Sequence, residues 1–248
     1  MIPTARLILD PPAAGDWNMA VDEALLVSAG KEQRATLRFY GWQEATLSLG
    51  YFQSHADREA HTASQGCPVV RRGTGGGAIV HDRELTYSFV APIGDRLASD
   101  VEQLYYAFHE TLIDALRTFG VEATLCVSPA KVARDAEPFL CFQRRAAGDV
   151  LLAGDKICGS AQRRHYGAVL QHGSVLLQRS PAAQELSGVV ELAEVKVAEV
   201  DLLANWQPLL AARLGLTLEI GMLSASELEQ SYEFLAQRFA SPAWTLRR

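Results

Sequence analysis

Arg71-Arg-Gly-Thr-Gly-Gly-Gly-Ala-Ile-Val-His-Asp82, followed after Arg83 by Glu84-Leu-Thr-Tyr-Ser88, is the stretch on which the fold class turns. Gly73-Thr-Gly-Gly-Gly-Ala78 satisfies a relaxed dinucleotide-binding fingerprint, but that fingerprint needs a helix next, whose N-terminus receives the pyrophosphate. Here Ala78 to Val90 reads as a strand, with Leu85, Tyr87 and Phe89 alternating with Thr86, Ser88 and Val90. No Lys-Ser or Lys-Thr follows the glycines, which removes the phosphate-binding P-loop as well. What the run offers is backbone without side-chain bulk that tolerates positive φ, so a ligand can come close to it. Three consecutive glycines exceed what a tight hairpin requires, and Gly75, Gly76 and Gly77 are therefore candidate ligand contacts.

Working outward, Leu7 to Leu9 reads as a short strand, and Asp16 is placed to cap a helix running through Ser28, with Gly30 as its stop. Thr36–Tyr40 and Ala45–Tyr51 read as two strands joined by a turn at Gly41. Ser99-x-x-Glu102 is a capping-box signature ahead of Val101, Leu104, Tyr105, Phe108, Leu112 and Phe119 at helical spacing, which ends at Gly120. Strands return at Val150–Leu152, at Lys156–Cys158 after a turn at Gly154-Asp155, and at Ala168–Leu177. Leu202 to Leu214 reads as helical despite Pro208, and Ser224-x-x-Glu227 opens a last capped helix reaching Phe239. Hairpins interleaved with helices, without strict β-α-β alternation, predict an α+β fold on an antiparallel or mixed sheet.

The 248 residues are 48% hydrophobic and 21% charged, ordinary values for a globular chain. Neither a repeat nor a linker divides them, so one domain over 1–248 is expected. The net charge of −6, from 23 basic and 29 acidic residues, gives a nucleic-acid partner little support. Arginine doublets at Arg71-Arg72, Arg144-Arg145 and Arg163-Arg164 are unevenly placed and are candidates for steering an acidic partner. The first ten residues lack a basic leader with a long apolar stretch, and no segment approaches membrane-spanning length, so a cytoplasmic, membrane-free protein is expected.

Cys67, Cys126, Cys141 and Cys158 show no C-x-x-C spacing, which argues against a zinc site, and disulfides are not expected. A thiol becomes an acyl acceptor when a nearby cation raises its thiolate fraction, and a lysine can supply that charge. Cys141 lies in the loop-like Pro138-Phe-Leu-Cys-Phe142, ahead of the strand pair that carries Lys156. Cys158 shares a strand face with Lys156 by two-residue alternation, so spacing leaves both thiols open. Gly159-Ser-Ala161 after Lys156 is small enough for a substrate to approach the strand. The six histidines lack metal-ligand spacing, which makes His81 and His172 hydrogen-bonding pocket candidates, and no G-x-S-x-G elbow supports Ser160 as a nucleophile.

Taken together, Arg71–Asp82, Glu84–Ser88, Gly154-Asp-Lys-Ile-Cys-Gly-Ser-Ala-Gln162 and Leu170-Gln-His-Gly-Ser174 resemble the lipoate–protein ligase and octanoyltransferase family. The resemblance runs from Asn18-Met-Ala-Val-Asp-Glu-Ala-Leu25 to Ser241-Pro-Ala-Trp244, nearly the whole chain. It is nearest the cysteine-dependent octanoyltransferases of the LipM type, which carry a Cys-Phe pair upstream of the Gly-x-Lys strand, as Cys141-Phe142 stands before Gly154-Asp155-Lys156. ATP-dependent ligases of the family read x-Gly-Asn after the His-Asp and an Asn-Asp before the lysine strand, where this chain has Arg83-Glu84 and Gly148-Asp149.

The resemblance implies the biotin/lipoate ligase catalytic-domain fold, a mixed sheet flanked by helices, with its core at about residues 31–220 and a C-terminal helical tail. It implies that Cys141 takes octanoate from octanoyl-acyl carrier protein as a thioester and that Lys156 assists. A lysine of the glycine-cleavage H protein or another lipoyl domain then accepts the acyl group. Arg72, the glycines at 75–77, His81, Gly159, Ser160, Ala161, His172 and Gly173 would line the substrate, with no ATP, metal or other cofactor needed. The rival readings are an ATP-dependent lipoate ligase, octanoyl transfer between lipoyl proteins, and a non-catalytic module that binds lipoyl domains.

Overall fold

A computed structural model of the chain describes residues 3–94, 100–129 and 137–248. Its first half runs β1 (Thr4–Leu9), α1 (Gly15–Glu32), β2 (Thr36–Tyr40), β3 (Thr46–Leu49), β4 (Val69–Arg71), β5 (Ile79–His81), β6 (Glu84–Pro92) and α2 (Val101–Arg117). The second half runs β7 (Thr124–Leu125), β8 (Val150–Leu152), β9 (Asp155–His165), β10 (Ala168–Leu176), α3 (Val189–Ala193), α4 (Glu199–Leu214), β11 (Thr217–Ile220), α5 (Ala225–Phe234) and α6 (Pro242–Thr245). Eight strands form one mixed sheet in the order β11-β1-β2-β6-β10-β9-β8-β7, and β4-β3-β5 form a smaller one. This is the α+β, mixed-sheet class that the strand pattern predicts.

The alternation along β6 decides what each face of the large sheet does. Leu85, Tyr87 and Phe89 join the main core with Phe108 and Leu112 of α2 and Trp206 and Leu210 of α4. On the opposite face Ser88 donates to Asp22 of α1 at 2.8 Å, and Thr86 accepts from the Trp42 indole at 2.8 Å. Two helices thus cover one face. The other carries α1 and, beside it, the small sheet, and the gap between the two sheets is where a ligand can enter. The packed core takes in β1 and α1, through Ala5, Leu7, Val21 and Leu25, as well as the stretch from 31 to 220. Among the described residues no helix is long and apolar enough to cross a membrane.

Several local expectations are corrected. Asp16 does not cap α1: the helix starts at Gly15 and Asp16 accepts from the adjacent Trp17 amide at 2.8 Å. Gly30 lies inside α1, which ends at Gln33 in the left-handed region. Gly30 is a close-approach residue rather than a stop, since a Cβ there would sit 1.9 Å from the Tyr166 carbonyl oxygen. Strands β2 and β3 are not a hairpin. The Gly41 carbonyl accepts from the Asn18 side chain at 3.0 Å and Trp42 bridges to Ala13, so the chain crosses from one sheet to the other. Ser99 lies outside the described residues, and the cap seen on α2 is Asp100, which accepts from the Glu102 and Gln103 amides. The turn before β9 is centred on Ala153 and Gly154, both at positive φ, and Asp155 already belongs to the strand. The Ser224–Glu227 capping box forms as expected, and α5 continues through a π turn to Phe239.

Asp22 pins α1 to the sheet. Its buried carboxylate accepts from Arg38 at 2.9 Å, Tyr40 at 3.0 Å and Ser88 at 2.8 Å. Burial alone would raise this carboxyl, but the His172 hydrogen bond and the Arg38 charge outweigh it and hold it below the usual aspartate value. A carboxyl depressed by folding lends stability above its unfolded pKa and loses it as pH falls through the folded one. Asp22→Asn is expected to lower the unfolding free energy by about 3 kcal/mol at neutral pH, with the gap to wild type closing below about pH 4. Urea unfolding across that range is the measurement, and an equal gap at both ends would contradict the assignment.

Candidate active site

Between the two sheets lies a narrow pocket. The small sheet and the loop joining its β4 and β5 form one wall, through Arg72, Gly75, Gly76, Ile79 and His81. The large sheet forms the other, through Lys156 and Gly159–Ala161 of β9, His172–Ser174 of β10, Thr86 of β6 and Tyr40 of β2. Met19 of α1, Trp42, Cys141 and Phe142 complete it. All the sequence-derived candidates meet here except Gly77, which is set back and offers its carbonyl to Arg72 at 2.8 Å.

Cys141 is positioned by backbone. Its amide donates to the Ala78 carbonyl at 2.7 Å and the Ala78 amide donates to Phe139 at 3.0 Å, a bridge that pins the thiol-bearing turn to the exit of the glycine loop. Sγ then lies 4.0 Å from Lys156 Nζ. Burial alone would lower the Lys156 ammonium, but the charges of Cys141 and Asp149 outweigh it and hold it above the usual lysine value. Gly159 leaves the space that the lysine occupies, because a Cβ there would come within 2.6 Å of Nζ.

Cys158 is elsewhere. A β-bulge between β8 and β9 pairs Val150 with Cys158 and Leu151 with Lys156, leaving Ile157 as the extra residue. The bulge changes the side-chain phase, so Ile157 and Cys158 both join Val150 in the main core while Lys156 faces the pocket. Two-residue alternation put Cys158 and Lys156 on one face, and the bulge overturns that. Burial pushes the Cys158 thiol far up, a poor state for a nucleophile. All four cysteines are free.

The glycine loop is held by fixed partners. Arg72 donates to the carbonyls of Ser48 at 2.8 Å, Gly75 at 3.2 Å and Gly77 at 2.8 Å, and to the Ser48 hydroxyl at 2.5 Å. Burial pulls its guanidinium down to about 10, which still leaves it charged at neutral pH. Thr74 bonds His172 Nε2 at 2.6 Å, and Nδ1 of that ring faces Asp22 at 3.3 Å. His81 is bracketed by Ser48 on Nε2 and Glu84 on Nδ1, each at 2.6 Å, and stacks on Trp42 at 3.8 Å. Burial lowers its pKa against the pull of Glu84, so the neutral ring donates to Glu84 and accepts from Ser48. Ser160 is held by Tyr87 and by His109 Nε2, and His109 turns its other nitrogen to the Gly148 carbonyl at 2.5 Å. With a carbonyl rather than a carboxylate behind the histidine, the arrangement is not a Ser-His-Asp site.

Sequence reasoning missed Asp149, which contacts Lys156 at 2.9 Å, Thr86 and Met19, which lie inside quoted motifs without standing out in them, and Ser48 and Trp42, which have no motif. The signal for Asp22 was present: the acidic pair Asp22-Glu23 interrupts the apolar stretch from Met19 to Val27.

Comparison with known proteins identifies the family and the fold. The lipoyl protein ligase A/B catalytic domain matches residues 15–200. Octanoyltransferase LipM of Kyrpidia tusciae is 34% identical, with 99% of each chain covered, and that of Bacillus subtilis is 30% identical at the same coverage. Among solved structures, lipoate-protein ligase A bound with ATP superposes with a TM-score of 0.78 at 22% identity, covering 98% of each chain. A bipartite lipoate protein ligase from Thermoplasma acidophilum gives 0.77 at 21%, covering 98% of this chain and 96% of that one. These structural likenesses speak to the fold, and the sequence relatives to the branch. With a thiol and a lysine facing one another across a pocket of the shared fold, the chain belongs to the lipoyl protein ligase A/B catalytic-domain family, on the side of its LipM-type octanoyltransferases.

Proposed function

We propose that this acyltransferase takes an octanoyl group from octanoyl-acyl carrier protein onto Cys141 and passes it to a lysine of a lipoyl-domain protein, the glycine-cleavage H protein first among them. Octanoyl transfer in protein lipoylation is the activity of the branch to which the chain belongs. The observation that carries the residue assignment is the placement of Cys141 Sγ 4.0 Å from Lys156 Nζ at the pocket wall, with Cys158 in the core.

The Cys141 thiolate, attracted by the Lys156 ammonium, attacks the thioester carbonyl carbon, and the bond to the carrier sulfur breaks. That sulfur takes the Lys156 proton and leaves as a thiol. The neutral amine of the acceptor lysine then attacks the Cys141 thioester, its proton passes to Lys156, and Cys141 departs as thiolate, which restores the resting state. A thioester is already activated relative to an amide, so the cycle consumes neither ATP nor a metal ion and follows ping-pong kinetics. The amides of Gly75 and Gly76, both at the pocket wall, donate to no backbone partner among the described residues, which suits them to the developing oxyanion.

Strand order supports a direction for the acyl chain. From Lys156 on β9 the pocket crosses β10 and β6 to Tyr40 on β2, three strand spacings or about 14 Å. Tyr40 is tied to Asp22 and Trp42 to Thr86, so the far end is rigid except for Met19.

Intact mass spectrometry after incubation with octanoyl-acyl carrier protein, without ATP, tests the reading. An octanoyl adduct is expected on wild type and Cys158→Ala and absent from Cys141→Ala, and an apo lipoyl protein is expected to discharge it. Lys156→Met is expected to slow acylation by about 100-fold or more. Modification of the lipoyl protein that needs ATP with free lipoate, and survives Cys141→Ala, would replace this reading with the ligase. Met19→Ala is expected to shift the preference between octanoyl and dodecanoyl donors at least about tenfold toward the longer chain. Competition between the two donors in one reaction measures it.

A further inference from the structure

Asp149 lies outside the nucleophile and its lysine, yet it is the group Lys156 touches most closely. Nζ is 2.9 Å from Oδ2, and the two side chains are 5% and 2% exposed. The carboxylate cannot turn away, because Oδ2 also accepts from the Ala146 amide at 2.7 Å and Oδ1 from the Tyr105 hydroxyl at 2.9 Å. Resting on the transferase reading above, we propose that Asp149 is a positioning residue: it aims Lys156 at Cys141 and keeps on that lysine the proton the leaving thiol requires.

The partners of the lysine carry the argument. Buried charges persist only where they are compensated. Lys156 is buried, and the charges of Cys141 and Asp149 hold its proton against the cost of burial. Once acylation turns Cys141 into a neutral thioester, that sulfur no longer contributes, whereas Asp149 stays 2.9 Å from Nζ. Without Asp149 the lysine loses the charge it touches most closely, and it releases its proton at a lower pH, before the carrier thiolate can take it.

The other groups facing Lys156 do not change this. Cys158 on its own strand and Tyr105 from α2 are pushed up by burial and stay neutral, and His109 from α2 is held down at about 4, also neutral.

Single-turnover acylation of Cys141 by octanoyl-acyl carrier protein, followed from pH 6 to 9.5, tests the proposal. Wild type is expected to hold its rate toward the alkaline end, whereas Asp149→Asn falls at least about tenfold across that range, its alkaline limb displaced by about one pH unit or more toward acid. A purely structural role would lower the rate at every pH and leave the profile's shape unchanged, and that result overturns the proposal. Should the Asn variant fail to fold, Asp149→Glu decides: it keeps the charge but moves Nζ, so acylation slows about tenfold with the wild-type profile, and an undiminished rate overturns the positioning role. Wild-type protein that forms no adduct would instead sink the transferase reading itself.

Discussion

One buried carboxylate holds the two halves of this molecule in register. Asp22 reaches from α1 to three neighbouring strands of the large sheet, through Arg38 and Tyr40 on β2, Ser88 on β6 and His172 on β10. A carboxylate with no exposure to water persists only when its lone pairs are filled and its charge is answered, and Arg38 answers it while also reaching Asp10 at 2.7 Å. The same atom set therefore does two things. It fixes the helix on the sheet, and by holding the His172 ring it fixes the hydroxyl of Thr74 and with it the start of the glycine loop.

From that anchor the rigidity of the pocket follows step by step. The loop from Thr74 to Gly77 has little side-chain mass with which to pack, and a chain of glycines left to itself is the most conformationally free backbone there is. Here two carbonyls of the loop are held by Arg72, whose own position is set by Ser48 on the small sheet. Ser48 is in turn bonded to His81, and His81 to Glu84, which accepts from Thr86 and Ser174 of the large sheet. The polar chain thus crosses from one sheet to the other beneath the pocket. The loop is thus ordered by charged and ring-bearing side chains rather than by packing.

What could be read from the chain, and what could not, divides along the range of the interaction. The bounds of β2, the capping box at Ser224 and Glu227, and the two faces of β6 depend on residues within a few positions of one another, and local pattern carries them. The motif residues of the site, such as Arg72, Lys156 and His172, stand out because each lies in a run whose composition is unusual for a plain strand. Gly30 and Cys158 were misread for the same physical reason. A carbonyl from Tyr166, far along the chain, decides the first, and an extra residue at Ile157 that breaks the alternation decides the second. Asp149 carried no local sign of its partnership, because the ion pair forms only when β8 and β9 fold back on one another.

The fold leaves the chemistry of activation open, and a small graft decides it. A two-sheet frame does not by itself specify how an acyl group arrives. On the transferase reading proposed above, the deciding element is a single turn at Cys141, fastened to the loop by the hydrogen bonds that flank Ala78. Those bonds come from backbone, so they place the thiol without constraining the side chains around it. Lys156 meets that thiol because Gly159 leaves room for its stem and because the bulge at Ile157 turns it, rather than its neighbour, toward the cavity. On that reading, an acyl group that arrives as a thioester needs only a second sulfur in the right place and a proton on call, and these few local features would provide both.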